Sequence, residues 1–216
     1  TGLELSDRRE SGVQEKNGTM ISYVVDEDVF GVYEYNMEYI EQRIRNYSYL
    51  NPGLTLVLNG VSYTSKNGLL DLLNENMSEK PLYAPIHLVG EDIEVVITHG
   101  NGYGETYYSF VNGQHTTQGG THQSAFREAL SRTIKEFFNK GFEYADIRNG
   151  IVAAVSIKVV EPIFESQTKI RLGSTVMYKD GPTIYKFIND FMKKELDNFL
   201  HKEPHVAEVM LRKITE

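Results

Sequence analysis

Ile151-Val-Ala-Ala-Val-Ser-Ile-Lys-Val-Val160 is a nearly continuous apolar run. A stretch of this kind is the mark of a strand covered on both faces, so the fold must place elements above and below it. Working outward, the preceding segment opens at Thr121 and carries Phe126, Leu130, Ile134, Phe137 and Phe138 at helical spacing, with Thr121 as the expected N-cap. Strands are expected before that at Ile86–Val89, Ile93–His99 and Thr106–Val111, separated by Gly- and Asp-bearing turns. On the far side a polar loop runs over Glu161–Ser174, and two amphipathic helices follow at Thr183–Leu200 and Pro204–Ile214.

Nearer the start, Asn59-Gly60 between Leu54–Leu58 and Val61–Ser65 reads as a type I′ hairpin turn. A helix is expected from Asn36 with Met37, Ile40, Ile44 and Tyr47 on one face, ended by Asn51-Pro52-Gly53. A short one is expected over Leu69–Asn76. Thr19–Val25 alternates as a strand should, and Thr1–Asn17 reads as a loop or loose hairpin arm. Helices and strands are intermixed along the chain, which places it in the α+β class.

Composition narrows the function. Of 216 residues, 40% are hydrophobic and 24% charged, within the range of a globular protein with a sizeable core. No apolar run approaches the ~18 residues that cross a bilayer. The chain has no cysteine, which excludes disulfides, thiolate catalysis and Cys-ligated zinc, and fits a cytoplasmic protein. A net charge of −8 argues against a surface devoted to nucleic-acid phosphates, so any DNA contact must be local, transient or confined to one face. Beginning at Thr1 rather than Met, the chain reads as a piece excised from a longer protein.

Several motifs admit a chemical and a structural reading. Gly100-Asn-Gly-Tyr-Gly104 has the look of a phosphate loop, but a strand rather than a helix follows it, so a hairpin turn is expected. Gly119-Gly-Thr-His122 does precede a helix, which allows either an anion site or simple backbone freedom ahead of the cap. Asp26-Glu-Asp28 has the carboxylates of a magnesium site without a partnering Glu motif, and is read as a polar strand exit. None of the six histidines stands at metal-ligand spacing, and His201 and His205 are separated by a helix-breaking Pro204. In Ser166-Gln-Thr-Lys169, a lysine with amide and hydroxyl neighbours could grip a phosphate or could simply be solvated.

Taken in order, a set of segments resembles the B subunits of the type II DNA topoisomerases, gyrase and topoisomerase IV. They are Asn17-Gly-Thr19 with Phe30, Arg43-Ile-Arg-Asn-Tyr-Ser-Tyr-Leu-Asn51 and Tyr108-Ser-Phe-Val-Asn112. Gly119-Gly-Thr-His122 with Phe126-Arg127, Asp146-Ile-Arg-Asn-Gly150, Ala154–Val159 and Phe164-Glu-Ser-Gln-Thr-Lys169 complete the set. The stretch Tyr108–His122 and the connection through Asn149 look more like topoisomerase IV than gyrase.

The resemblance implies a partition: residues 1–30 as the last strands of a GHKL ATPase domain, 31–200 as a transducer domain, and 201–216 as a helical arm toward the cleavage core. It implies a four-stranded sheet with helices and a left-handed β-α-β crossover, against the usual right-handed rule. It also implies that Gln167 and Lys169 contact the γ-phosphate of ATP, that Thr19 lies beside the adenine pocket, and that Arg127 faces a cavity holding DNA. A plain surface arginine is the alternative for Arg127. ATP and Mg would serve the full-length protein, with double-stranded DNA and a DNA-cleaving A subunit as partners and a homodimer as the assembly. Readings from other classes are a non-catalytic nucleic-acid or protein-binding module of the same fold, or the second domain of another GHKL ATPase.

The motifs for the metal-binding Asn, the water-activating Glu and the ATP lid are not found in these 216 residues. The isolated chain is therefore expected to show no ATPase turnover above a contaminant-free blank, and to elute as a monomer by light scattering. Measurable turnover or a tight dimer would contradict this.

Overall fold

The computed structural model describes residues 17–216, which fall into a unit ending at Met37 and a unit running Glu38–Glu216. Apart from Asn17, the arm expected at the start of the chain lies outside the described residues. Within the first unit, Thr19–Val25 has no regular secondary structure and forms no ladder with any described strand. The alternation identified a strand-like face, but a strand also needs a neighbour for its N–H and C=O groups, and alternation does not supply one. Most of its apolar side chains stay in solvent, Met20 at 92% and Val24 at 93% exposure. The acidic triplet that follows is a helix start, not a strand exit. Asp26 accepts the Asp28 N–H at 2.9 Å and caps the short helix α1 (Glu27–Phe30), with Glu27 and Asp28 placed in its first turn.

In the second unit the helix α2 (Met37–Leu50) buries only its C-terminal end, at Ser48 and Tyr49, while Tyr47 on the expected apolar stripe stays exposed. Strands β1 (Leu56–Leu58) and β2 (Val61–Tyr63) form the predicted hairpin. Asn59 and Gly60 both take positive φ, as a type I′ turn requires. Helix α3 (Leu69–Asn76) buries Leu69, Leu72 and Leu73.

The main sheet contains β3 (Ile86–Gly90), β4 (Ile93–His99), β5 (Glu105–Val111), β6 (Gln114–His115) and β7 (Ile151–Ile157) in the order β3-β4-β7-β5-β6. The four long strands are those expected, joined by a two-residue fifth. The apolar run that begins at Ile151 is the central strand, antiparallel to β4 and parallel to β5. Between β5 and β7 the chain passes through β6, α4 (Thr121–Phe138) and α5 (Tyr144–Arg148), which makes this a β-α-β connection.

Insertion of β7 overturns the hairpin expected at Gly100–Gly104. β4 and β5 are not neighbours, so this segment bridges the end of β7. The Gly100 N–H donates to Gly150 O at 2.8 Å, and the Gly150 N–H donates to Gly104 O at 2.7 Å. Gly150 has φ 79°, and a Cβ there would come within 2.9 Å of the Gly100 and Gly102 carbonyl oxygens. A substituted residue would thus prise the bridge off the strand.

Both faces of the sheet are covered. On one, Val95, Ile97, Ala153 and Val155 meet Phe126, Leu130 and Ile134 of α4 with Ile188, Met192 and Leu196 of α6 (Ile184–Lys202). The final helix α7 (Pro204–Thr215) adds Val206, Ala207, Met210 and Ile214 to this core. On the other face Val96, Phe110 and Ala154 meet Tyr49 and the leucines of α3. Neighbouring residues of β4 and of β7 thus serve opposite cores, as the pleat demands. At the start of α6, Thr183 accepts the Lys186 N–H at 3.0 Å and serves as the N-cap.

His99 is fully enclosed at the end of β4. Its Nε2–H faces the Ile147 carbonyl at 2.9 Å, which leaves Nδ1 to accept from the Tyr83 hydroxyl at 2.6 Å. Burial holds the ring neutral, pulling its pKa to about 4 despite the helpful carbonyl. A lowered folded pKa means that the unfolded chain takes up the proton first as pH falls. Stability is therefore expected to be full above about pH 6.5 and to fall between there and about pH 4. Urea-unfolding midpoints should decline over that window, and His99→Gln, which retains an acceptor and a donor, should flatten the slope. An unchanged slope would show that His99 is not the group being protonated.

Candidate functional site

The loop between β7 and α6 is tied to the front of α4 by its backbone. Gln118 N–H donates to Ile170 O at 2.9 Å, Leu172 N–H to Gly119 O at 3.1 Å, and Thr121 N–H to Leu172 O at 3.1 Å. The Thr121 hydroxyl adds a bond to Ser174 O at 2.6 Å. Gly120, not Thr121, is the N-cap, at φ 132° and without a side-chain cap bond. A Cβ on Gly120 would lie 2.4 Å from the Leu172 oxygen and 2.5 Å from its nitrogen. The glycine pair is there for backbone approach. The first N–H of α4 is satisfied by a carbonyl of the same chain, where the anion-site reading would have placed a ligand.

Behind this clasp lies a buried polar chain. Ser109 and Thr116 exchange hydrogen bonds through their side chains and carbonyls, and Ser109 reaches Gln123 at 2.9 Å. Because the Thr116 hydroxyl donates to Ser109 O, it accepts from His122 Nε2, 3.1 Å away. His122 is fully buried, burial pulls its pKa to about 4, and its Nδ1 has no hydrogen-bond partner among the described residues. This histidine is a structural group at the helix entry.

Beyond the clasp the loop presents the two residues singled out from sequence. The Lys169 N–H closes a turn onto Ser166 O at 3.0 Å, and Lys169 takes a left-handed φ of 57°. A non-glycine residue held there is uncommon, and it aims the chain in a direction that a relaxed loop would not choose. The Ser166 and Thr168 hydroxyls, 2.6 Å apart, brace the same turn. Gln167 and Lys169 are both exposed. They line a groove of about 770 Å³ together with Arg43, Gln42 and Asn46 of α2 and His115 of β6. None of the lining residues is acidic. Among the described residues Lys169 is in no ion pair.

Arg127 lies outside this groove. Its guanidinium clamps Glu105 with two bonds of 2.8 Å and stacks over the Tyr107 ring, 5.6 Å from the centroid. Arg148 reaches the same carboxylate at 3.0 Å, and Tyr107 donates to it at 2.7 Å. Burial alone would raise the Glu105 pKa, but hydrogen bonds from Arg127, Tyr107 and Arg148 outweigh it and bring the carboxyl to about 2. Two guanidiniums on one carboxylate leave a net positive cluster. Thr19 belongs to the first unit, where it is exposed.

Gln167, Lys169 and Arg127 are singled out by their motifs, whereas Glu105, the partner of Arg127 at a separation of 22 residues, carries no signal of its own. Arg43 and His115 are likewise not marked as groove residues. Arg43 stands in one of the segments quoted for the resemblance, which was the only available signal.

Comparison with known proteins bears on this arrangement. The family model "DNA gyrase B" matches residues 62–216. The B subunit of DNA topoisomerase 4 from Borreliella burgdorferi is 38% identical over 99% of this chain and 35% of its own length. The B subunit of DNA gyrase from Eisenibacter elegans is 33% identical over 94% of this chain and 47% of its own. The chain therefore spans less than half of these curated relatives. Among solved structures, the 43K ATPase domain of Thermus thermophilus gyrase B, in complex with an aminocoumarin, has a TM-score of 0.69 at 25% identity, covering 88% of this chain and 55% of that one. The B-subunit of Myxococcus xanthus DNA gyrase, with a TM-score of 0.68 at 18% identity over 92% of this chain and 70% of that one, shares the fold.

The clasp can be tested directly. Gly120→Ala must displace the Leu172 backbone and adopt an unfavourable φ, so it is expected to destabilise by roughly 1–3 kcal/mol. Thr121→Val, which deletes one hydroxyl bond, should remove about 1 kcal/mol. Gly141→Ala, where a new Cβ meets nothing within 4 Å, should stay within about 0.5 kcal/mol of wild type. Urea midpoints at constant m-value measure all three, and a silent Gly120→Ala would refute the close approach.

Proposed function

This chain belongs to the DNA gyrase B family, and on that premise we propose that it is the transducer region of the ATP-binding component of a type II DNA topoisomerase, of the topoisomerase IV kind. Residues 1–30 would be the end of the ATPase domain, 31–200 the transducer and 201–216 the start of the arm toward the cleavage core. Double-stranded DNA and a DNA-cleaving A subunit would be the partners, ATP with Mg the fuel, and the cytoplasm the compartment. In the full-length homodimer Thr19 would stand beside the adenine pocket and Arg127 would face the DNA cavity. There, phosphates would compete with Glu105 for its guanidinium.

One observation carries the coupling mechanism: an exposed lysine in a left-handed turn, in a carboxylate-free groove, on a loop pinned to α4 through the Gly120–Leu172 approach. An ammonium without a competing carboxylate suits a phosphate group. The triphosphate supplies a terminal charge that is lost on hydrolysis. Lys169 and Gln167 would hold the loop while that charge is present and release it afterwards. The clasp would transmit the difference to α4, which packs along α6. Such a loop is a two-state element biased by a ligand.

In the full-length protein, Lys169→Ala is expected to lower ATP hydrolysis by about 10²–10³-fold, roughly 2–4 kcal/mol, while ADP binding survives. Lys169→Arg should rescue only partly, because a planar fork does not replace a compact ammonium. Folding stability should change by less than about 0.5 kcal/mol. Hydrolysis near wild type, or equal weakening of ADP and a non-hydrolysable ATP analogue, would sink this mechanism.

A further inference from the structure

The groove that presents Lys169 has a second wall, which the proposed mechanism does not use. α2 contributes Arg43, and β6 with its flanking turn contributes Gln114, His115 and Thr117. The chain carries 30 acidic residues against 22 basic ones, yet no carboxylate lines this groove. Elsewhere among the described residues the arginines stand against carboxylates. Arg45 pairs with Glu41, Arg127 and Arg148 with Glu105, Arg132 with Glu128, and Arg171 with Glu165. Arg43 is different. Its Nη1 donates to the Tyr39 hydroxyl at 3.1 Å and its Cζ sits 5.5 Å from the centre of that ring, which holds the side chain extended along the helix. Among the described residues its Nε and Nη2 have no hydrogen-bond partner, and it is in no ion pair. Beside it His115 is stacked on Phe110, with centroids 4.9 Å apart. Burial and the nearby Arg43 charge lower the His115 pKa, so the ring adds a hydrogen-bonding group without a competing negative charge.

We infer that Arg43 is a second phosphate-binding cation of this groove, which engages the terminal phosphate of a nucleoside triphosphate together with Lys169. The inference rests on the reading of Lys169 as a nucleotide contact and extends it to α2, so that the bound phosphate bridges two separate elements of the transducer. The division of labour is chemical. A guanidinium whose Nε–Nη2 edge is free can meet two phosphate oxygens, whereas the lysine acts as a point charge. Joined through a phosphate, α2 and the Lys169 loop would be held together only while the triphosphate is intact.

The test uses the full-length protein with a non-hydrolysable ATP analogue and with ADP as probes. Arg43→Ala is expected to weaken analogue binding roughly 10- to 100-fold, as for loss of one charge-assisted partner, and to leave ADP binding within about two-fold. Arg43→Lys should recover only part of the loss. Arg43→Gln, which keeps an N–H for Tyr39, guards against a folding defect and should behave like Arg43→Ala, with an unchanged unfolding midpoint. Equal effects on the analogue and ADP, or none on either, would overturn the inference. So would an Arg43→Ala effect confined to short duplex DNA, which would assign the groove to nucleic-acid phosphates. Lys169→Ala measured alongside separates the two claims. A silent Lys169 with a sensitive Arg43 would refute the lysine mechanism alone, and the reverse would refute the role of Arg43 alone.

Discussion

Two stretches of backbone approach each other at Gly120 and Leu172 so closely that no side chain fits between them. The contact joins the N-terminus of α4 to the loop after the central strand. A loop of this length would otherwise sample many conformations, and the entropy of fixing it must be offset by bonds of its own. Here the bonds from Gln118, Leu172 and Thr121, with the Thr121 hydroxyl on Ser174, offset it. Only beyond that clasp does the chain make the left-handed turn at Lys169. The candidate site therefore depends on a packing constraint some distance from any charged group.

The clasp in turn needs α4 to be immobile, and α4 is fixed by the sheet. Phe126, Leu130 and Ile134 lie over β4 and β7 and against α6, all fully buried. Burial of such side chains contributes about 1.5–3 kcal/mol each. β7 can serve as the platform because it is central and alternates its small residues between two cores, with Ala153 and Val155 toward α4 and α6 and Ala154 toward α3. Apolar packing sets the frame, backbone bonds place the loop, and the groove beside it presents cations without carboxylate partners.

Charge is distributed unevenly in a way that bears on function. Most arginines of the second unit sit against carboxylates, many of them surface pairs of small energetic value. The Glu105 cluster is more enclosed and holds two guanidiniums at once. The groove between α2 and the Lys169 loop lacks carboxylates altogether. In an acidic chain, a local surface free of negative charge focuses an anion far better than the net charge of −8 suggests.

By itself the sequence determined the elements whose signal is local. The apolar run became β7, Asn59-Gly60 became the type I′ turn, Leu69–Asn76 became α3, and the amphipathic stretch Thr183–Leu200 became α6. Side-chain periodicity, positive φ and cap chemistry act over a few residues, so one segment suffices to specify them. The ordered segments also marked Gln167 and Lys169. Tertiary structure alone decided what depends on partners distant in the chain. Insertion of β7 between β4 and β5 turned a predicted hairpin at Gly100–Gly104 into a bridge. Thr19–Val25 found no described strand to pair with, and Gly120 displaced Thr121 as the cap because Leu172 closes in on it. Arg127 acquired Glu105, and Arg43 came to share a groove with Lys169. Hydrogen-bond ladders, ion pairs and grooves are made between segments, and spacing along one segment carries no information about which other segment will arrive beside it.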